Sequence, residues 1–183
     1  MGTILAFAGS NSSNSLNFKL IKHTVSKISG HDVTTLNMAN YPFPMYSEDE
    51  EKAKGFSNSL VEFKGDIAAA DGLIIAVNEH NSYPSAYFKN LLDWLSRLDR
   101  KFIDGKNVLL MATSPGKRGG IGALEVVSGM LGRFGATVVT TYSLPSFHIN
   151  FKETEGILDA ELAQGHADAI TLFMNKIESI ATK

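Results

Sequence analysis

The sequence predicts an α/β protein with a doubly wound parallel sheet, folded as a single domain over residues 1–183. Three observations carry this. Short apolar runs alternate with amphipathic helical patterns along the whole chain. The clearest run, Gly72 to Val77, is apolar without alternation, as in a strand buried on both faces. A chain of 183 residues with 44% from the AVILMFWYC set suits one domain with a sizeable core. Right-handed crossovers leave few topologies, and the favoured one is a five-stranded sheet in order 2-1-3-4-5 between two helical layers, a three-layer sandwich.

The elements follow in order. Thr3 to Ala8 is a short apolar strand closed by Gly9. Residues Ser15 to Ser29 carry Leu16, Leu20, Ile21, Val25 and Ile28 on one helical face, with Gly30 as the stop. Asp32 to Leu36 is the second strand, and Asn37 to Glu50, with two prolines and no period, reads as a loop. Phe56 to Ala70 is helical, with Leu60, Phe63 and Ile67 together. The third strand, Gly72 to Val77, leads through a polar loop to a strong helix from Tyr87 to Leu98, with Phe88, Leu91, Leu92, Leu95 and Leu98 inward. Val108 to Ala112 is the fourth strand, Gly120 to Phe134 a helix and Ala136 to Thr141 the fifth strand. A loop with Pro145 follows. Leu158 to Ile180 closes the chain as a helix with Ile170, Phe173, Ile177 and Ile180 on one stripe, for about five helices in all.

Composition removes several functions. Lys plus Arg is 17 against 19 for Asp plus Glu, a net charge of -2, which argues against a strongly basic nucleic-acid binder. With no cysteine, disulfides, thiolate nucleophiles, thiolate zinc sites and iron–sulfur clusters are excluded. No apolar stretch approaches the roughly 18 residues of a bilayer span. No basic region precedes the first apolar run. The expectation is a cytoplasmic protein with no nucleic-acid or membrane partner. His23, His31, His80, His148 and His166 show no metal spacing, and neither H-E-x-x-H nor G-x-S-x-G occurs. No metal is expected.

In doubly wound sheets ligands lie beyond the carboxyl ends of the strands, at the switch between the first and third. After the first strand comes Gly9-Ser10-Asn11-Ser12-Ser13-Asn14-Ser15-Leu16-Asn17, four hydroxyls and three carboxamides opening a helix. A helix N-terminus with small hydroxylated residues suits a phosphate monoester. The same residues also suit a helix cap and a turn, and composition leaves both readings open. No Walker-type or G-x-G-x-x-G loop is present. After the third strand, Asn78 to Asn90 crowds polar groups at the strand exit, His80 among them. After the fourth, Ser114-Pro115-Gly116-Lys117-Arg118-Gly119-Gly120 suggests close backbone approach to something flat or anionic.

These segments resemble the NAD(P)H-dependent FMN reductases of flavodoxin-like fold, which include quinone, chromate and azo-dye reductases. In the family's first loop, G-S-x-R-x-x-S-x-N, Gly9, Ser10, Ser15 and Asn17 match, and Ser12 stands where arginine is usual. In the second motif, roughly P-E-Y-N-x-S-x-P-x-x-L-K-N-x-x-D-W, the matches are Glu79, Asn81, Lys89, Asn90, Asp93 and Trp94. Here Asn78, His80, Tyr83, Ser85 and Phe88 replace the usual residues. Ser114-Pro115-Gly116 with Gly119-Gly120 is similar to the family's third loop.

The resemblance implies a flavodoxin-like domain with a non-covalent FMN. The phosphate would sit on Ser10, Ser12, Ser15, Leu16 and Asn17. The ring would lie near Glu79, His80, Asn81 and Ser82, and near Ser114, Gly116, Gly119 and Gly120. It implies an enzyme passing electrons from NADPH or NADH through the flavin to a small acceptor: a quinone, a flavin, chromate or an azo compound. The alternative is an electron-transfer or redox-sensing flavoprotein without turnover, which the near-neutral charge disfavours. A homodimer or homotetramer is expected from the resemblance. Tyr87 and Trp94 extend the apolar surface of their helix beyond the face that covers the sheet, which suits either a partner surface or burial beneath neighbouring loops of the same chain.

Overall fold

The structure is a computed structural model that describes residues 1–181. The first strand, β1 (Thr3–Ala8), is followed by α1 (Leu16–Val25) and β2 (Asp32–Leu36). Next come α2 (Glu48–Lys54), α3 (Asn58–Ala69) and β3 (Gly72–Val77). A small hairpin of β4 (Glu79–His80) and β5 (Tyr83–Pro84) precedes α4 (Ala86–Leu98). Then follow β6 (Asn107–Thr113), α5 (Ile121–Leu131), β7 (Thr137–Leu144) and α6 (Phe147–Asn150). A second hairpin, β8 (Phe151–Lys152) and β9 (Gly156–Ile157), leads into α7 (Ala160–Ala181).

The main sheet has five parallel strands in order β2-β1-β3-β6-β7. This is the expected doubly wound, flavodoxin-like sandwich. Alternation along the inner strands sends successive side chains to opposite faces. Leu5, Phe7, Leu73, Ile75, Val77, Val108 and Leu110 meet Phe63 of α3, Phe88, Leu91 and Leu95 of α4, and Val127 of α5. Ile4, Ala6, Ala8, Ile74, Ala76, Leu109 and Met111 meet Leu20 and Ile21 of α1 and Phe173 and Ile177 of α7. Both faces are therefore covered, which is why the strands read as continuous apolar runs. Among the described residues no helix is long and apolar enough to cross a membrane.

The structure corrects several expectations. α1 ends at Val25 rather than at Ser29, because Lys27 and Ile28 donate to Thr24 and Val25 in tighter turns. The 37–50 segment contains a 3₁₀ turn at Met38–Asn40 and the start of α2. The loops beyond β3 and β7 contain the two hairpins and α6, so α-helices number seven among the described residues. The side chain of Ile180, assigned by spacing to the closing stripe, lies outside the described part of the chain.

The second apolar face of α4 does not stand free. Trp94 is buried and its Nε1 donates to the Pro44 carbonyl at 2.8 Å. Asn90 accepts from the Tyr46 N–H at 2.7 Å and donates to Pro44 at 2.9 Å. The Tyr87 hydroxyl faces the carbonyls of Met38 and Tyr41 at 3.2 and 2.8 Å, and burial pushes its pKa up. Of the two readings of this aromatic face, the structure shows the second: the chain's own 38–46 strap covers it.

Candidate functional site

In the order β2-β1-β3-β6-β7, the strands β1, β3 and β6 are neighbours at the switch, and their carboxyl ends release three loops side by side. The chain turns sharply out of β1. Gly9 donates to the Ala76 carbonyl at 2.8 Å, and a Cβ at Gly9 would collide with the Phe88 ring. Ser10 then accepts from the Ser12 N–H, and Ser12 from the Asn14 N–H, each at 3.3 Å. These hydroxyls curl the loop toward the start of α1. Ser15 is the N-cap, accepting from Phe18 N–H at 3.2 Å. The amides of Leu16 and Asn17 precede the first intrahelical donor and are left for an outside acceptor.

Asn17 itself is turned inward. It is 4% exposed, and its carboxamide pairs with the Thr113 backbone at the end of β6. Its side chain therefore fixes the start of α1 on the sheet.

The loop beyond β3 is a tight hairpin. His80 pairs with Tyr83, leaving Asn81 and Ser82 as a two-residue turn with φ of 54° and 64°. Both central residues at positive φ define the turn whose twist suits a hairpin, and Asn tolerates this conformation best after Gly. Glu79 reaches across to α5, where its Oε2 accepts from Ala123 N–H at 3.0 Å. α5 has no side-chain cap of its own, since its N-cap is Gly120 at φ 81°. Glu79 supplies that cap from another element. Gly122 allows it, because a Cβ there would stand 2.6 Å from the Ser82 carbonyl and 2.9 Å from Glu79 Oε2.

The loop beyond β6 is pinned from behind by β7 and α6. Thr113 Oγ1 donates to the Leu144 carbonyl at 2.7 Å, Phe147 N–H to Ser114 at 3.0 Å, and Ser146 N–H to Gly116 at 2.9 Å. Ser143 donates to the Gly119 carbonyl at 3.1 Å. Gly119 is buried against Ser143 and Leu144, at φ 59°, where any Cβ would clash.

Together the loops enclose an open groove of about 200 Å³. Ser10, Ser12, Ser15, Leu16, Asn17, Glu79, His80 and Ser114, all expected site residues, line it. Asn81, Ser82, Gly116, Gly119 and Gly120 belong to the same loops but not to its walls. Asn14, Asn78, Thr113 and Pro115 line the groove and were not singled out by sequence. Asn78 and Thr113 had a legible signal, since each is the residue at a strand's carboxyl exit. Among the described residues no group of three or more His, Asp or Glu side chains is placed to hold a metal ion.

The NADPH-dependent FMN reductase family matches residues 3–150, from the first residue of β1 to the last of α6. The chain belongs to this family. Among relatives, a quinone reductase of Escherichia coli K12 is 36% identical over 77 residues, covering 42% of this chain and 41% of that protein. An NAD(P)H-dependent FMN reductase of Pseudomonas aeruginosa is 29% identical over 117 residues, 63% of this chain and 62% of that protein. The matched part thus spans about two fifths to three fifths of these curated relatives' lengths. In fold, the chain is similar to the FerB NAD(P)H:acceptor oxidoreductase of Paracoccus denitrificans, with a TM-score of 0.78, 23% identity and 98% of both chains covered. The Lys89-Asn90-x-x-Asp93-Trp94 segment that carried the family resemblance lies on α4, away from the groove walls. Asn90 and Trp94 hold the 38–46 strap, and Lys89 pairs with Asp93 at 2.6 Å.

Proposed function

We propose that this family member is an FMN-dependent NAD(P)H oxidoreductase that passes electrons from NADPH or NADH to a small acceptor of the quinone, flavin, chromate or azo class. The observation that carries the reading is the groove at the β1/β3 switch, where a capped helix start presents free amides beside Ser10, Ser12 and Ser15. This donor set fits a phosphate monoester. It is rich in N–H and O–H groups and has no carboxylate beside Ser10, Ser12 or Ser15, because the groove's Glu79 is engaged on α5. The loops after β3 and β6 would flank the ring, with backbone groups near Asn78 to Ser82 and Ser114 to Gly120 available to its polar edge.

When bound, FMN supplies the transfer of electrons between nicotinamide and acceptor. The protein's residues have other work. Ser15 and the first-turn amides of α1 hold the phosphate, Asn17 fixes that turn to β6, and Glu79 locks the β4–β5 hairpin to the glycine-rich loop. No side chain is required as acid, base or nucleophile. The groove is open on one side, which supports acceptors of varied shape.

The same proposal includes a homodimer or homotetramer. Tyr83 and Ile121, 64% and 36% exposed, stand on the hairpin and α5 beside the groove and offer the apolar surface that α4 does not. A cytoplasmic setting fits the need for a reduced nicotinamide donor.

Heat release of the cofactor from purified protein, followed by chromatography, tests the reading. FMN is expected, and FAD or no flavin contradicts it. Light scattering tests the assembly, and a mass near 19.8 kDa with activity intact contradicts it.

A further inference from the structure

A cavity of about 420 Å³ lies apart from the groove. It lies between the second half of α1, the β8–β9 hairpin and the first half of α7. That volume falls within the range of small-molecule sites. Its walls combine Ile157 and Ile170 with two imidazoles, His23 and His166, stacked at 5.4 Å between centroids and 24° between planes. Gly156, at φ 83°, brings the hairpin backbone against His23 so closely that no Cβ would fit.

His166 is 3% exposed, and its Nε2 is 2.8 Å from Thr24 Oγ1. The Thr24 hydroxyl donates to the Leu20 carbonyl at 2.9 Å, and to the weaker acceptor Met111 Sδ at 3.5 Å. Thr24 therefore accepts from His166, so Nε2 carries the proton and Nδ1 is a bare acceptor. Nδ1 has no hydrogen-bond partner among the described residues, and no fully enclosed side-chain nitrogen or oxygen among them lacks one. The Nδ1 edge consequently opens onto the cavity that His166 lines. Burial, helped by His23 and Lys27, holds the His166 pKa at about 4, so this acceptor persists at neutral pH.

The charge at the cavity is also uneven. Glu155 is paired with Lys152 at 2.9 Å, whereas Lys27 has no ion-pair partner among the described residues. The Lys27 charge bears on both imidazoles.

We infer that this cavity is a second ligand site, taking a small aromatic acid that also carries a hydrogen-bond donor. The donor meets His166 Nδ1, the ring packs on the imidazoles and the two isoleucines, and the carboxylate meets Lys27. Each ligand feature answers an unmatched protein feature, and a molecule lacking one leaves a polar group unmatched. The site is separate from the groove, so the inference does not rest on the flavin reading.

The test is a titration of the purified holoprotein with para-hydroxybenzoate, followed through the nitrogen-15 ring signals of His166 and His23. A saturable shift of His166 Nδ1 is expected. Lys27→Gln should weaken binding about fivefold, the worth of one partly screened ion pair. Ala163→Leu, which fills the cavity from α7, should abolish the shift while the flavin spectrum is unchanged. Benzoate, without the donor, and para-hydroxybenzyl alcohol, without the charge, should each bind more weakly. No saturable shift in the wild type, unchanged affinity in Lys27→Gln, equal binding of either analogue, or shifts confined to the Ser10–Asn17 loop would each overturn the inference.

Discussion

Asn17 and Thr113 exchange two hydrogen bonds across the sheet. Asn17 Oδ1 accepts from Thr113 N–H at 3.0 Å, and Nδ2 donates to the Thr113 carbonyl at 3.1 Å. The carboxamide thus ties the first turn of α1 to the end of β6, one residue past the last pair that β6 makes with β3, Val77 with Ala112. Asn17→Asp keeps the size but removes the donor, setting a carboxylate against a buried carbonyl. It should cost about 1–3 kcal/mol. A lowered urea midpoint in the apoprotein, with weaker FMN binding in the holoprotein, is the expected result. An unchanged midpoint would contradict the pairing.

Ser15→Asp separates folding from phosphate binding. Aspartate is as good an N-cap as serine, so Phe18 N–H keeps an acceptor and α1 keeps its start. The new carboxylate faces the phosphate, where like charges repel strongly. The purified variant should be colourless and unfold at the denaturant concentration of the wild-type apoprotein. Full flavin occupancy would show that the phosphate lies elsewhere.

Glu79 gives a cap that a glutamine can imitate and an alanine cannot. Glu79→Ala should expose the first-turn amides of α5, with a loss of about 1 kcal/mol and faster hydrogen exchange at Ala123. Glu79→Gln should restore slow exchange at Ala123. If exchange there is the same in all three proteins, Glu79 does not couple the hairpin to α5.

His166 makes stability depend on pH. Its folded pKa is about 4 against 6.5 for a free imidazole. Above 6.5 both folded and unfolded chains hold it neutral, and the residue contributes no pH dependence. As pH falls from 6.5 toward 4 the unfolded chain takes up a proton that the folded chain refuses, so stability falls. The full effect is about 3 kcal/mol. His166→Gln, whose amide still donates to Thr24, should flatten this part of the stability curve. An equal slope in the variant would contradict the neutral, buried imidazole.

The central strands were legible in sequence because a sheet covered on both faces needs apolar residues at every position, as in Leu73 to Val77. α2 was not, because Glu48–Lys54 buries none of its residues and has no apolar stripe for periodicity to detect. Its signals are local: Ser47 caps Glu50 N–H at 3.1 Å, and Lys52 and Lys54 pair with Glu48 and Glu50 at 2.8 Å. The β4–β5 hairpin turns on Asn81-Ser82 without a glycine, so the usual hairpin signal was missing.

The groove was legible at the level of loops, since strand exits at a topological switch are set by strand order alone. The work of individual side chains was not. Glu79, Asn17 and Trp94 all act on partners far away in sequence, on Ala123, Thr113 and Pro44. Nothing local to any of them names that partner. Trp94 left two readings open for the same reason: α4 alone does not say whether a partner or the chain's own loops cover it, and the strap that does carries no regular pattern of its own.

The central claim is that the groove holds FMN for exchange of electrons with a nicotinamide. The most direct measurement is the visible spectrum of the purified protein under anaerobic conditions, before and after stoichiometric NADPH or NADH. The account predicts a flavin spectrum that bleaches on addition of the nicotinamide and returns when a quinone is added. A protein without flavin absorbance after reconstitution with FMN, or a bound flavin that neither nicotinamide reduces, would contradict it.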